Sequence, residues 1–184
     1  MRRPRDLALR PALLGFAAIL ASLGIAFALD KRPAPPGDDD LASKRLDFPL
    51  KGMDRKALRD NFHETRGGRE HRALDIMAAR GTPVLAVEDG RIAKLFRSVL
   101  GGITIYQYDP SERFAYYYAH LDRYAEGLAE GAAVQRGQVI GYVGSTGNAP
   151  AHAPHLHFTI FRLGPKREWW KGDPVDPFPY LAKN

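Results

Sequence analysis

The sequence predicts a mostly β protein: a small antiparallel β-sheet domain with few short helices, preceded by an N-terminal hydrophobic helix. From about residue 46 onward, short runs of β-branched and aromatic residues recur, and some of them alternate between apolar and polar side chains. Glycine-rich turns separate these runs, and helical periodicity is sparse. No internal repeat of fixed period is present, so the prediction is a single β domain rather than an array.

The strands follow from composition and turn signals. Asp89-Gly90 is a strong hairpin turn signal, and Gly101-Gly102 and Asp109-Pro110 mark further turns. The predicted strands lie at residues 82–87, 91–97, 103–108, 114–121, 138–143 and 155–163. Helical pattern is limited to residues 55–61 and to a turn near residues 124–130.

Composition and charge exclude several classes of function. The chain has 184 residues, no cysteine and a formal net charge of +6. The absence of cysteine excludes disulfides, a thiolate zinc finger and a cysteine nucleophile, so a metal site must use histidine and carboxylate. Four arginines at positions 2 to 10 supply much of the positive charge, and 23 basic and 20 acidic residues remain beyond residue 28. With no long Lys/Arg block, we expect no nucleic-acid partner.

Residues 1–29 have the pattern of an export signal. Four arginines precede residues 11–29, which carry no charge and would span about 28 Å as a helix, close to the thickness of a bilayer's hydrocarbon core. Ala26-Phe27-Ala28 matches a cleavage pattern, whereas the length of the apolar run favours an uncleaved anchor, so signal peptide and signal anchor both stay open. The positive-inside rule places the rest of the chain on the periplasmic or extracellular side of the cell envelope. Residues 30–45, rich in proline and charge, predict a flexible linker before a domain at residues 46–184.

A group of histidines and a carboxylate forms a candidate metal site. His155 and His157 alternate on one predicted strand, so their side chains point to the same face. Such a pair is more often structural than functional when it stands alone. His71 and Asp75 add donors of the types that Zn²⁺ accepts. His71, Asp75 and either His155 or His157 would make three ligands and leave a fourth position for water; spacing does not decide between the two histidines.

His120 ends the tyrosine-rich run and is a candidate for a histidine that does not bind metal. Its imidazole could hydrogen-bond a water molecule or a developing oxyanion, and the alternative is a structural histidine at a strand end. His63 and His152 lie in loop-like contexts and receive no role. The sequence contains no G-x-S-x-G, H-E-x-x-H or Walker motif, which disfavours the chemistries that those motifs serve.

Three blocks together resemble the lysostaphin/LytM-type zinc metalloendopeptidases of peptidoglycan: RGGREHRALDIMAARGTPVLAVEDGRI, YYYAHLDRY and GQVIGYVGSTGNAPAHAPHLHFTIF. Their order and spacing match that family through most of residues 47–181. The resemblance implies a small antiparallel β domain with a groove over the sheet. It implies His71, Asp75 and His157 as zinc ligands, and His120 and His155 as catalytic histidines. The implied reaction is attack by zinc-bound water on a peptide carbonyl in peptidoglycan stems or cross-links.

One position departs from the family pattern. Ala73 stands where many members have glycine in H-x-G-x-D, and since it is not a ligand we expect altered backbone freedom rather than lost activity. Residues 61–70 and 144–154 are candidate groove walls. The aromatic C-terminal tail either packs onto the domain, which we favour, or forms a substrate platform.

The alternative function is that of a non-enzymatic envelope protein that regulates another cell-wall hydrolase. Family members of that kind usually lack ligands or catalytic histidines, and this sequence retains the full set. The sequence leaves open the scissile bond, the oligomeric state and any loop or partner that controls access to the groove.

Overall fold

The structure is a computed structural model that describes residues 40–182. The hydrophobic segment at residues 11–29 and most of the predicted linker lie outside the described residues, so the N-terminal helix stays a prediction. Within residues 40–182, no helix is long and apolar enough to cross a membrane.

The described domain consists mainly of strands, with two short α-helices and one 3-10 helix. The helical elements are α1 (Asp40–Ser43), the 3-10 helix (Arg55–Ala57) and α2 (Phe178–Leu181). The strands are β1 (Thr65–Arg66), β2 (Arg69–Glu70), β3 (Leu74–Met77), β4 (Pro83–Leu85), β5 (Gly90–Ser98), β6 (Gly102–Tyr108), β7 (Phe114–Tyr124), β8 (Ala133–Val134), β9 (Val139–Val143), β10 (His155–Leu163) and β11 (Gly172–Val175).

Strands β3 to β11 form one nine-stranded sheet in which the paired strands are antiparallel. The main order is β11-β10-β7-β6-β5-β8, and β9 pairs with both β7 and β4. β3 pairs with the first half of β10, on the edge opposite β7. β1 and β2 form a separate hairpin. These features confirm the predicted fold class, mostly β and antiparallel with few short helices.

The two faces of the sheet differ in burial. On β7 and β10, Tyr118, Leu156 and Phe158 are fully buried and belong to the hydrophobic core. Side chains alternate between faces along a strand, so Tyr117 and His157 lie on the opposite face and are only partly buried. β10 therefore presents the histidines of its H-x-H motif on the face away from the core.

Short elements differ most from the sequence prediction. The helix expected at residues 55–61 is only the 3-10 turn Arg55–Ala57, where the Asp54 carboxylate accepts from the Lys56 N–H. Residues 125–130 contain the predicted turn and form no helix. The sequence prediction omits five strands of four residues or fewer: β1, β2, β3, β8 and β11. β11 also contains Pro174, a residue that disfavours a strand assignment.

The last residues of the predicted linker pack onto the domain. Leu41 is fully buried. The Lys44 Nζ lies 3.0 Å from Glu88 Oε1 and 3.1 Å from Asp109 Oδ2, and the Tyr116 hydroxyl donates to Glu88. Burial lowers the pKa of Lys44, but its bonds to the two carboxylates raise that pKa by more. One cation therefore ties residues 40–45 to two carboxylates that the fold has largely removed from water.

We expect Lys44→Ala to lower the free energy of unfolding by about 3 kcal/mol, because it leaves two buried carboxylates without their cation. Urea unfolding of the full chain measures this, with Lys51→Ala as the matched control because Lys51 is exposed. Equal midpoints for the two variants would contradict the structural importance of the Lys44 ion pairs.

Candidate active site

The first half of β10 assembles the site because it is paired on both edges. His157 lies opposite Asp75 of β3 on one edge and opposite Ala119 of β7 on the other. His71 lies on the segment that leads into β3, four residues before Asp75. Directly opposed residues of paired strands have neighbouring side chains, so the register brings Asp75 and His157 together, and the segment before β3 adds His71.

Three donor atoms converge between these residues. His71 Nε2 lies 3.1 Å from Asp75 Oδ1 and 3.2 Å from His157 Nδ1. Asp75 Oδ1 lies 3.0 Å from His157 Nδ1. A tetrahedral zinc ion with bonds of about 2.0 to 2.1 Å separates its ligand atoms by about 3.3 Å, so the spacing fits such a metal. Among residues 40–182 this is the group of side chains found able to hold a metal ion, and it contains His157 rather than His155.

Asn61 forms hydrogen bonds with two members of this group. Its carbonyl oxygen lies 3.0 Å from His71 Nδ1. Since a carbonyl only accepts, Nδ1 carries the proton and Nε2 keeps its lone pair for a metal. The Asn61 side chain also accepts from the Asp75 N–H and donates to the Asp75 carbonyl. The orientation of both residues is therefore fixed by one neighbour.

The electrostatics of the group favour a charged carboxylate at Asp75 and a neutral imidazole at His157. Burial opposes ionisation of Asp75, but its contacts with His157, His71 and the Arg66 guanidinium hold its pKa well below the usual range. Burial lowers the pKa of His157 by more than Asp75 raises it. For His71, burial also lowers the pKa, but the bond to Asp75 outweighs it and the net shift is upward. An ionised Asp75 is the form that metal binding needs.

His155 lies beside the donor group without joining it. Its Nε2 is 3.7 Å from Asp75 Oδ1, and its Nδ1 is 2.9 Å from the Ala153 carbonyl oxygen. The carbonyl fixes the proton on Nδ1. His155 therefore turns an unprotonated Nε2 toward the candidate metal centre.

His120 reaches the same face through an irregularity in β7. The pairing of β7 with β6 shifts register near residue 120, and His120 has a φ of +59°. A bulge of this kind re-aims a side chain. The ring centroid of His120 lies 4.9 Å from that of His155 and 5.4 Å from that of His157. The structure thus brings together all five residues named from the sequence: His71, Asp75, His120, His155 and His157.

The surroundings of His120 hold it in one neutral form. Its Nδ1 lies 2.8 Å from the Thr146 carbonyl oxygen, which assigns the proton to Nδ1. Burial lowers the pKa of His120 to about 4, against an opposing effect of that hydrogen bond. His120 is therefore neutral at pH 7, with an available lone pair on Nε2.

Two loops meet beside His120. The Gly101 carbonyl accepts from the His120 N–H, and the Leu100 carbonyl accepts from the Asn148 N–H. Thr146 Oγ1 accepts from the Ile103 N–H at 2.9 Å. The β5–β6 turn and the loop at residues 144–149 are therefore joined by a main-chain bond and by the Thr146 side chain, and His120 is held between them.

Aromatic rings extend from the site along the same face of the sheet. The Tyr117 centroid is 6.1 Å from that of His157, and the Tyr106 centroid is 4.6 Å from that of Tyr117. Trp169 follows at 4.7 Å from Tyr106, and Phe96 at 5.6 Å from Trp169. We call these four aromatic residues, Tyr117, Tyr106, Trp169 and Phe96, the aromatic row.

The C-terminal aromatics divide between packing onto the core and an exposed surface. Phe178 and Tyr180 pack against the core, and Leu181 is fully buried. Trp169 joins the aromatic row, and its neighbour Trp170 is 61% exposed. The tail is thus partly a structural wrap and partly an exposed aromatic surface.

Sequence reasoning missed Asn61, Arg66 and Thr146 as neighbours of the site. Asn61 and Arg66 fall in the stretch at residues 61–70 that was expected only to line a groove. Thr146 contacts the His120 ring through its main-chain carbonyl, and no side-chain motif indicates such a contact.

The region of the chain that carries the site matches a known protein family. The model of peptidase family M23 matches residues 69–177, a range that contains all five site residues. The chain belongs to peptidase family M23. This confirms the resemblance drawn from the three sequence blocks.

Individual curated proteins are similar to this chain over part of their length. An L-Ala--D-Glu endopeptidase of Bacillus subtilis (strain 168) is 34% identical over 142 residues, 73% of this chain and 42% of that protein. The peptidoglycan DD-endopeptidase ShyC of Vibrio cholerae serotype O1 is 34% identical over 94 residues, 51% of this chain and 21% of that protein. The chain therefore spans less than half the length of these two curated relatives.

A solved structure shows the same fold. The catalytic domain of the antimicrobial peptidase lysostaphin from Staphylococcus simulans matches with a TM-score of 0.54 at 32% identity. The match covers 64% of this chain and 83% of that domain. The fold that carries the five residues is therefore shared with that catalytic domain.

We expect Gly102→Ala to displace His120, because an added Cβ at Gly102 would overlap Thr146 and Gly147. The free energy of unfolding should fall by about 1 to 3 kcal/mol more than in Gly127→Ala. Gly127 also has a positive φ, but nothing lies within 4 Å of its added Cβ, so it controls for backbone strain. Urea unfolding and the NMR signal of the His120 ring measure the two effects. An unmoved signal in Gly102→Ala would show that the loop contact does not position His120.

Proposed function

We propose that this chain is an exported zinc metalloendopeptidase that hydrolyses peptide bonds in peptidoglycan stems or cross-links. The observation that carries the proposal is the convergence of three metal-ligand atoms beside two further histidines in a member of peptidase family M23. The substrate class is supported by relatives named as an L-Ala--D-Glu endopeptidase and a peptidoglycan DD-endopeptidase.

Zinc would be held by His71 Nε2, Asp75 Oδ1 and His157 Nδ1. Two imidazoles and one carboxylate are a donor set that catalytic zinc sites use, with one position left for water or substrate. Zinc bound there supplies a Lewis acid that polarises a peptide carbonyl and makes a water molecule more acidic.

The two remaining histidines would transfer the proton and orient the water. His155 and His120 each donate Nδ1–H to a main-chain carbonyl, which leaves Nε2 of each ring free on the site side. One Nε2 accepts a proton as water attacks the peptide carbonyl, and the protonated ring then donates it to the leaving amine. The other Nε2 hydrogen-bonds water and keeps it oriented. The low pKa of His120 keeps that ring neutral and suits it to the orienting role.

The aromatic row and the β5–β6 turn would contact the substrate on either side of the scissile bond. Val99 and Leu100 at the turn are 90% and 67% exposed, beside the main-chain contacts of His120. Apolar side chains exposed next to a candidate catalytic group are typical of substrate-binding surfaces. We propose that Val99 and Leu100 contact the apolar parts of the peptide stem.

Export would place the enzyme where its substrate lies. The arginine-flanked apolar segment at residues 11–29 supports transfer to the periplasmic or extracellular side of the envelope, with anchoring in the inner membrane if the segment is not cleaved. The proposed partners are therefore peptidoglycan peptides and, for the anchor, a membrane.

We expect the purified full chain to bind one zinc per molecule, and His157→Ala to lose that metal because it removes one of three ligands. Metal analysis after gel filtration measures the stoichiometry. His152→Ala is the matched control, since His152 is exposed and lies outside the donor group. Stoichiometric zinc in His157→Ala would contradict the ligand assignment.

We expect the full chain to release new amino termini from purified peptidoglycan, and a chelator to abolish the release until zinc is restored. His155→Ala should keep its zinc and cleave about 10² to 10⁴ times more slowly, as expected for loss of a proton-transfer group. His63→Ala, another exposed histidine, is the control. Mass spectrometry of the fragments measures the rate and identifies the bond.

Two outcomes would overturn the enzymatic proposal. Full cleavage in the presence of chelator, or full activity of His155→Ala, would exclude the stated mechanism. Absence of both zinc and cleavage would instead favour the regulator of another cell-wall hydrolase.

A further inference from the structure

The two oxygens of Asp75 have different partners. Oδ1 faces the histidines, at 3.1 Å from His71 Nε2 and 3.0 Å from His157 Nδ1. Oδ2 accepts a hydrogen bond of 2.5 Å from the Nη1 of Arg66. One oxygen is therefore directed at the candidate metal centre, and the other is engaged by a guanidinium.

The local chain structure explains why Arg66 reaches Asp75. Arg66 ends β1, and Gly67 and Gly68 form a two-residue turn with φ values of +57° and +81°. Positive φ at both central residues is the requirement of the tight hairpin turn that suits antiparallel strands. The hairpin then returns through Glu70 directly to His71.

Glu64 holds the other side of the same guanidinium. Its Oε2 lies 2.8 Å from Arg66 Nη2. Arg66 is therefore fixed between two carboxylates, one on the surface and one in the site. Glu64 also offsets the charge of Arg66, so the pair adds little net positive charge beside the centre.

We propose that Arg66 is a positioning residue that keeps Asp75 as a one-oxygen ligand. A free carboxylate can approach a metal with either oxygen or with both, and a strong hydrogen bond to Oδ2 withdraws that oxygen. Partners of this kind orient metal ligands and affect affinity strongly. This inference rests on the proposed zinc function, and it adds a residue outside the three ligands.

One contact favours the opposite role for Arg66. Its Nη1 also lies 3.3 Å from His71 Nε2, so its charge and its bulk could compete with a metal ion. The Arg66 side chain is 46% exposed, and solvent screens the charge repulsion. The short bond to Asp75 acts directly on the ligand, so orientation outweighs repulsion.

The test compares Arg66→Ala and Arg66→Lys with Arg69→Ala in the full chain. Arg69 lies opposite Arg66 on the same hairpin and is exposed, so its loss removes the same charge without the bond to Asp75. Zinc dissociation constants are measured by competition with a chromogenic chelator. We expect a 10- to 100-fold weaker zinc affinity in Arg66→Ala, a smaller loss in Arg66→Lys, and a change of no more than about twofold in Arg69→Ala.

Cobalt(II) substitution gives a readout that a general loss of stability would not produce. Four-coordinate Co²⁺ absorbs visible light more strongly than five-coordinate Co²⁺. The visible absorption should fall in Arg66→Ala, where Asp75 is free to bind through both oxygens, and should persist in Arg66→Lys and Arg69→Ala. Thermal melting of the metal-free proteins identifies any variant that fails to fold.

The outcomes separate this inference from the proposed function. If zinc binds the wild type, and Arg66→Ala binds it equally or more tightly with an unchanged cobalt spectrum, the positioning role is overturned. Tighter binding would in addition show that Arg66 competes with the metal. A wild-type chain that binds no zinc would overturn both proposals.

Discussion

The register between β3 and β10 is the constraint on which the site depends. It sets Asp75 directly opposite His157, while the other edge of β10 is paired with β7. Because side chains alternate along a strand, a slip of one residue would turn His157 into the core and Leu156 toward solvent. The buried positions on β10 oppose such a slip, so the packing of the core also maintains the candidate metal centre.

His120 is placed by a bulge in β7 rather than by regular strand register. Regular alternation along β7 cannot bring both Tyr117 and His120 to the same face, and the bulge with its positive φ resolves this conflict. A non-glycine residue in that region costs about 1 to 3 kcal/mol of strain, which the surroundings must offset. Here the main-chain bonds of Gly101 and Thr146 to His120 oppose relaxation. Strain of this kind is common where a side chain is held for chemistry.

The sequence predicted the fold class and the five site residues, but by two different routes. Period-two spacing was enough to place His155 and His157 on one face. It could not distinguish them, because the distinction comes from the pairing of His157 with Asp75, a contact across 82 positions of the chain. The family resemblance implies that His157 is the ligand, and the geometry groups the same residue with His71 and Asp75. The metal itself and the roles of the histidines stay proposals.

What sequence reasoning missed has a common physical cause. Asn61 and Thr146 act partly or wholly through main-chain carbonyls, which every residue has, so no residue type marks them. Arg66 lies on a two-residue strand too short for a periodic signal, and β3 is likewise short. The sequence predicts the end of the linker from proline and charge content alone. The burial of Leu41 and the ion pairs of Lys44 instead depend on contacts with distant residues.

In the β5–β6 turn, the main chain and the side chains have separate roles. Its main chain holds the candidate catalytic histidine, through the carbonyl groups of Leu100 and Gly101, whereas the side chains of Val99 and Leu100 extend into solvent. Substitutions at these two side chains can therefore accumulate during evolution without disturbing the hydrogen bonds that the turn makes. A change at these two exposed positions would therefore alter the surface offered to a ligand, while the position of His120 is inherited unchanged.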